Sequence, residues 1–320
     1  MNFDAHVTEV VFDRSGRAAF ALGDGSVRFE GGETAYAHDG AVLCAVAHPS
    51  GEGVVTGGDD GKVVWSRPDE AVVLATARGW VDAVAAAPAT GLVAFASGRT
   101  ASVLDAADPH FRRDFAHERS VAGLAFDPKG RRLACATYGG AALWFARIAE
   151  QKPHLLRWAG AHNLIAFSPD GRFLVSAMAE NQLHTWRMQD AKDLRMGGYP
   201  AKIRSLSFGA GGAILATSGA HGAIVWPFTG ANGPMGKEAS EVGYDETSTT
   251  VRTAAAPAAP VIAAGTDDGR VWVANLKASG LERLKADKGP AVSALAISAD
   301  GKRLAWGDED GRAGVAEISV

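Results

Sequence analysis

Strand-opening residues recur along this chain at a nearly constant interval. Val7, Val42, Val81, Val121, His162, Ile203, Val251 and Val292 are separated by 35, 39, 40, 41, 41, 48 and 41 residues. Each is followed 22 to 24 residues later by a strand-ending side chain: Phe29, Trp65, Leu104, Trp144, Trp186, Trp226, Val273 and Val315. A chain with such a period builds one small unit repeatedly, and each unit must bury its apolar face against its neighbours. This outweighs the 320-residue length, which alone suggests two domains.

The grammar of one unit is clearest in residues 38–65. An apolar alternation at Val42, Cys44 and Val46 precedes a turn at Pro49-Ser50-Gly51, and a second strand at residues 54–56 follows. An Asp60-Gly61 turn then leads to a third strand ending on Trp65. The first turn recurs as Asp13-Arg14-Ser15-Gly16, Asp127-Pro128-Lys129-Gly130, Ser168-Pro169-Asp170-Gly171 and Ser298-Ala299-Asp300-Gly301. Proline presets φ there and glycine accepts positive φ. The second recurs as Asp24-Gly25, Asp268-Gly269 and Asp310-Gly311, a strong hairpin dipeptide. Both predict short antiparallel strands.

A period near 40 with four tryptophans at one repeat position resembles the WD40 repeat, in which each unit is a four-stranded propeller blade. The chain is identified as a diverged, bacterial-like member, since the Trp-Asp dipeptide is absent. The resemblance implies an all-β propeller over residues 1–320 as one domain, with eight blades counted and seven as the alternative. It implies that His38, Thr56, Asp60 and Trp65 form a buried hydrogen-bonded set tying blade two together. Unit four keeps His117 and Trp144 but has Cys135 and Gly139 in the other two places, and unit six keeps Thr217 and Trp226 but has Tyr199 and His221. At the ring closure an outer strand is expected either to come from residues 2–5, which would hide a sheet edge, or to be missing. Residues 227–250, rich in Gly, Ser and Thr, are expected as a surface loop, and residues 147–160 as an outer strand.

Composition restricts the partner more than the shape. A hydrophobic fraction of 47% with 21% charged residues is ordinary for a soluble globular protein. The formal charge of −4 gives no long-range attraction for a polyanion, so nucleic acid is not an expected partner. Cys44 and Cys135 fall in different units and form no zinc or disulfide pattern. The N-terminal residues do not read as a secretory signal, and no apolar run approaches the roughly 20 residues of a membrane span. A reducing, cytoplasmic setting is expected, with no membrane partner and no obligate oligomer.

A search for reactive patterns finds no GxSxG elbow, HExxH, P-loop or GxGxxG after a strand. The nine histidines sit at unlike repeat positions; His162 replaces an apolar opener and His221 a turn aspartate. Asp59-Asp60-Gly61, Asp267-Asp268-Gly269 and residues 308–311 lack the alternating ligands of a calcium loop and read as hairpin turns. No catalytic residue, cofactor or metal is expected.

The resemblance implies that the innermost strands line a channel and that the loops leading into them form a protein-binding face. Trp80, Arg119, Trp158, Asn163 and Tyr199 map near those loops, and Arg99, Tyr138, Glu180 and His221 near the second turns. Aromatics and Arg anchor interfaces, so partner binding is expected at Trp80, Arg99, Arg119, Tyr138, Trp158, Asn163 and Tyr199, with the alternative that Trp158 and Tyr199 fill the place of the structural histidine in their units. The first function class is therefore a non-catalytic scaffold for a protein or peptide. The second is an enzyme or small-ligand binder using the channel, which needs Glu9, Asp82, His162, Lys202 and Arg204 to converge.

Overall fold

The computed structural model describes residues 1–278 and 280–318. Unit one sets the pattern: strands Val7–Phe12, Ala18–Leu22, Ser26–Phe29 and Thr34–Tyr36 lie side by side in chain order, all antiparallel. The second strand of each unit is the driest. Every residue of Ala18–Leu22, Val54–Gly58, Phe173–Met178 and Val261–Thr266 is buried, because neighbouring sheets cover both of its faces.

The opening strands Val7–Phe12, Val42–Ala47, Ala83–Ala87, Val121–Phe126, His154–Phe167, Leu206–Gly209, Thr250–Ala255 and Val292–Ile297 each pack beside the next. The last packs against the first, closing a ring. Between units the apolar faces interlock. Leu92, Val103 and Phe115 of unit three meet Val121, Leu133 and Trp144 of unit four, all buried. Full burial of each large side chain contributes about 1.5–3 kcal/mol. Close approach also requires glycine: a Cβ on Gly57 would lie 2.5 Å from Val81 Cγ1, the opening valine of the following unit. At the Asp60-Gly61 turn Gly61 has φ +80°, and its missing Cβ leaves room for the Ala77 carbonyl.

The ring closes through the N-terminus, the first of the two expected alternatives. Asn2 bridges Arg312, the Phe3 N–H donates to the Gly311 carbonyl at 2.8 Å, and the Ala313 N–H donates to the Met1 carbonyl at 3.1 Å. These residues cover the edge of strand Ala313–Glu317, which otherwise ends a three-stranded sheet.

Two expectations are corrected. Among the described residues the hydrogen-bonded strands form seven sheets, the alternative count, rather than eight, and one of the seven has six strands. That sheet carries units four and five together. Strand His154–Phe167 pairs with unit four through residues 154–161 and with unit five through residues 162–167, so no break separates the two. Strand Arg132–Phe145 likewise supplies both middle strands of unit four: its halves fold back at Tyr138-Gly139, and the Ala146 N–H donates to the Arg131 carbonyl. Residues 227–250 are also more than a loop, because strand Ser240–Val242 within them is the outer strand of unit six.

Candidate functional site

In unit two, His38 Nδ1 donates to Asp60 Oδ1 at 2.9 Å, and Nε2 meets Thr56 Oγ1 at 2.9 Å. Trp65 does not join this set. Its Nε1–H donates to the Glu52 carbonyl at 3.0 Å, and its ring stacks on His48 at 4.1 Å. The reason is register: Trp186 and Trp226 oppose Leu174 and Leu215, each two residues before the Ser or Thr, whereas Ser66 opposes Val54 in unit two. Trp65 stands one residue early, so strand alternation turns it to the opposite face. Ser66 takes the tryptophan's place, and its buried hydroxyl has no partner among the described residues.

Unit six rebuilds the set from other letters. Trp226 Nε1–H donates to the Tyr199 hydroxyl at 2.7 Å, which bonds Thr217 Oγ1 at 2.7 Å. Tyr199 is 8% exposed. It therefore fills the histidine's place as a structural group and is not an exposed anchor. Trp158 is half-buried and stacks on the buried His184 at 4.0 Å. The Trp158 carbonyl accepts from His162 Nε2, and His162 Nδ1 meets the Ser176 hydroxyl at 2.7 Å. His162 is accordingly a satisfied core residue.

The other anchors lie on the outside. Trp80 is 67% exposed and Tyr138 is 65% exposed. Arg99 is exposed at a hairpin tip, where its carbonyl accepts the His117 N–H at 2.9 Å. Arg119, Tyr138 and Asn163 come together on the wall of one open cavity of about 520 Å³, with Ser120, Ala161 and His162. Arg119 and Tyr138 also border a second cavity of about 280 Å³ beside Trp144. The Tyr138 side chain stands out because it occupies the tip of the hairpin between the two middle strands of unit four.

The repeated sheets, the closed ring and the His38-Thr56-Asp60 set agree with a family comparison. The family described as WD domain, G-beta repeat, matches residues 33–65. Residues 33–65 thus match a WD40 repeat, and the ring of antiparallel sheets around them is a β-propeller. No curated protein matches it. Among solved structures it resembles the crystal structure of the computationally designed Ika8 protein, with a TM-score of 0.80 and 19% identity. That likeness covers 99% of this chain and 98% of the other and concerns the fold alone.

The propeller encloses a central channel cavity of about 500 Å³, walled by residues of all eight opening segments. Glu9, Asp82 and Arg204 reach it, while the buried His162 and the exposed Lys202 are absent from its wall. Arg252 joins them and was missed by sequence reasoning. The bulge in strand Thr250–Ala255 falls between Thr250 and Arg252, matching the Val7 to Glu9 bulge of unit one. Unit seven thus opens at Thr250, one residue before the valine that the spacing picked out, and Arg252 falls in register with Glu9. Ser205 and Ser207 are structural: their hydroxyls accept the Thr253 and Ala255 N–H groups at 2.8 and 2.9 Å and stitch units six and seven together.

Burial pushes the Glu9 carboxyl up to about 7, against the opposing pull of Arg252. The folded state then holds a proton that the unfolded chain releases between pH 4.5 and 7, so stability falls as pH rises through that window. Solvent reaches the same wall at the exposed Asp82 and Arg204, which screens part of the effect. Glu9→Gln should therefore stabilise the propeller by about 1 kcal/mol at pH 8 and leave it unchanged at pH 4. Urea unfolding of both proteins at the two pH values checks this, and an equal difference at both would refute a buried neutral acid.

Proposed function

We propose that this propeller is a non-catalytic scaffold that binds a protein or peptide partner on the loop face around the channel mouth. The whole chain acts as one domain, works as a monomer in the cytoplasm, and engages neither nucleic acid nor membrane. The observation that carries this reading is Tyr138, a large aromatic 65% exposed between two adjoining cavities that also share Arg119. A solvated aromatic beside an unpaired arginine is the composition of an interface anchor. Asn163 extends the patch toward the channel, and Trp80 and Arg99 are further exposed groups of the same loop set. Trp158 and Tyr199 lie outside the exposed patch, the first stacked on His184 and the second bonded within unit six.

A second reading is favoured by one observation: Glu9, Asp82, Arg204 and Arg252 share the channel wall. A small charged ligand is the occupant that such a wall suits. A single experiment separates the two. The tagged protein captures its partner from native cytoplasm, alongside Tyr138→Ala, Arg119→Ala and a Glu9→Gln/Arg252→Gln double variant. The loop-face reading expects each of the first two to lose capture about ten-fold or more while melting within about 1 °C of the parent. Undiminished capture by both sinks it, and loss confined to the double variant moves the site into the channel.

A further inference from the structure

In unit two the His38 ring is closed on both nitrogens, by Thr56 on Nε2 and Asp60 on Nδ1. Unit four keeps the ring and lacks the acid. His117 stands four residues before Val121, as His38 stands four before Val42. Its Nε2 accepts from Trp144 Nε1–H at 3.0 Å, so the neutral imidazole carries its proton on Nδ1. Burial lowers the His117 pKa, which keeps the ring neutral near pH 7. Nδ1 is buried and has no partner among the described residues. A buried donor without an acceptor is costly, and native proteins rarely leave one.

The place of Asp60 is taken by Gly139, and a Cβ built there meets nothing within 4 Å. The vacant space is the cavity of about 280 Å³ bordered by Tyr138. Arg119 and Arg157 stand on its wall, and neither makes an ion pair among the described residues. Glu118 is the one acid lining it. Leu155, 47% exposed, adds apolar surface to the wall, with Trp144 and Leu156 packed behind it.

We propose that this cavity receives the aspartate or glutamate side chain of a partner polypeptide, whose carboxylate completes from outside the histidine–acid pair that unit two makes internally. The donor set is that of a carboxylate site, one N–H and two guanidinium groups, and charge-assisted hydrogen bonds of this kind are the strong ones. The leucines beside it suit apolar neighbours in the same peptide, which a free anion lacks. The inference rests on the loop-face reading and names the chemistry recognised there.

The test is an NMR titration of the full chain, observing the His117 ring. The probes are Ac-Leu-Asp-Leu-NH2, its Asn counterpart, and acetate alone. The expected result is a His117 shift with the Asp peptide, about ten-fold or more weaker with the Asn peptide, and marginal with acetate. Arg119→Gln and Arg157→Gln, both at exposed positions, should each weaken the Asp peptide more than the Asn peptide. Equal binding of the two peptides, no His117 shift at millimolar peptide, or acetate matching the Asp peptide would each overturn the proposal. Partner capture that depends on Tyr138 but leaves His117 silent to the peptides would overturn this inference while the loop-face reading stands.

Discussion

Phe20→Ala should lower stability by about 3–5 kcal/mol, the range for emptying a buried aromatic site. The ring is fully buried where unit one meets the last unit, against Val10 and Leu22 on one side and Ala294, Ala305 and Ala313 on the other. Phe3, brought there by the closing N-terminal residues, packs on it with ring centroids 5.5 Å apart. The alanines opposite are too short to collapse into the vacancy, so a cavity remains and its lining loses dispersion contacts. Because this seam joins the two ends of the chain, the loss acts on the ring as a whole. For a protein of this size it corresponds to about 5–8 °C in melting temperature. Urea unfolding provides the measurement, with Phe145→Ala, 53% exposed, as the control expected to stay within about 0.5 kcal/mol. A cost for Phe20→Ala below about 1 kcal/mol would mean that the seam does not carry the closure.

Asp60→Asn should cost about 2 kcal/mol at pH 7, with a pH dependence that identifies the cause. Burial alone would raise the Asp60 carboxyl, but hydrogen bonds from the Lys62 N–H, the His38 ring and the Asp39 N–H outweigh it and hold the group down at about 2. The donors are 3.0, 2.9 and 3.1 Å from the carboxylate oxygens. A depressed acid stabilises the fold above its unfolded pKa, near 3.9, and that contribution disappears as pH falls to 2. The difference between the parent and Asp60→Asn should thus be full at pH 5–7 and nearly gone at pH 2. A difference that is the same at every pH would show that the amide disturbs packing and that the charge contributes nothing.

The period, the turns and the closing role of residues 2–5 were legible because each follows from local rules. Alternation selects strands, Asp-Gly selects a tight hairpin, and a sheet edge needs a cover. His38, Thr56 and Asp60 were legible through the family resemblance, and once brought together three buried polar groups must satisfy one another. Trp65 was misread because its letter matched the repeat while its register was one residue early. Tyr199 stayed open between two readings because an aromatic in a loop has the same letter whether it faces solvent or replaces a buried histidine. Its 2.7 Å bond to Thr217 decides which.

The sequence by itself determined that about forty residues at a time make one small antiparallel sheet, that these sheets bury one another, and which polar groups tie unit two. Only the tertiary structure decided that units four and five share a sheet, that Arg252 faces the channel with Glu9, and that His117 Nδ1 is buried with no acceptor among the described residues where unit two has Asp60. The physical reason is common to all three. Pairing along a strand is set by neighbours in the chain, whereas bulges, bends and the contents of a cavity depend on groups brought together by the closing of the ring.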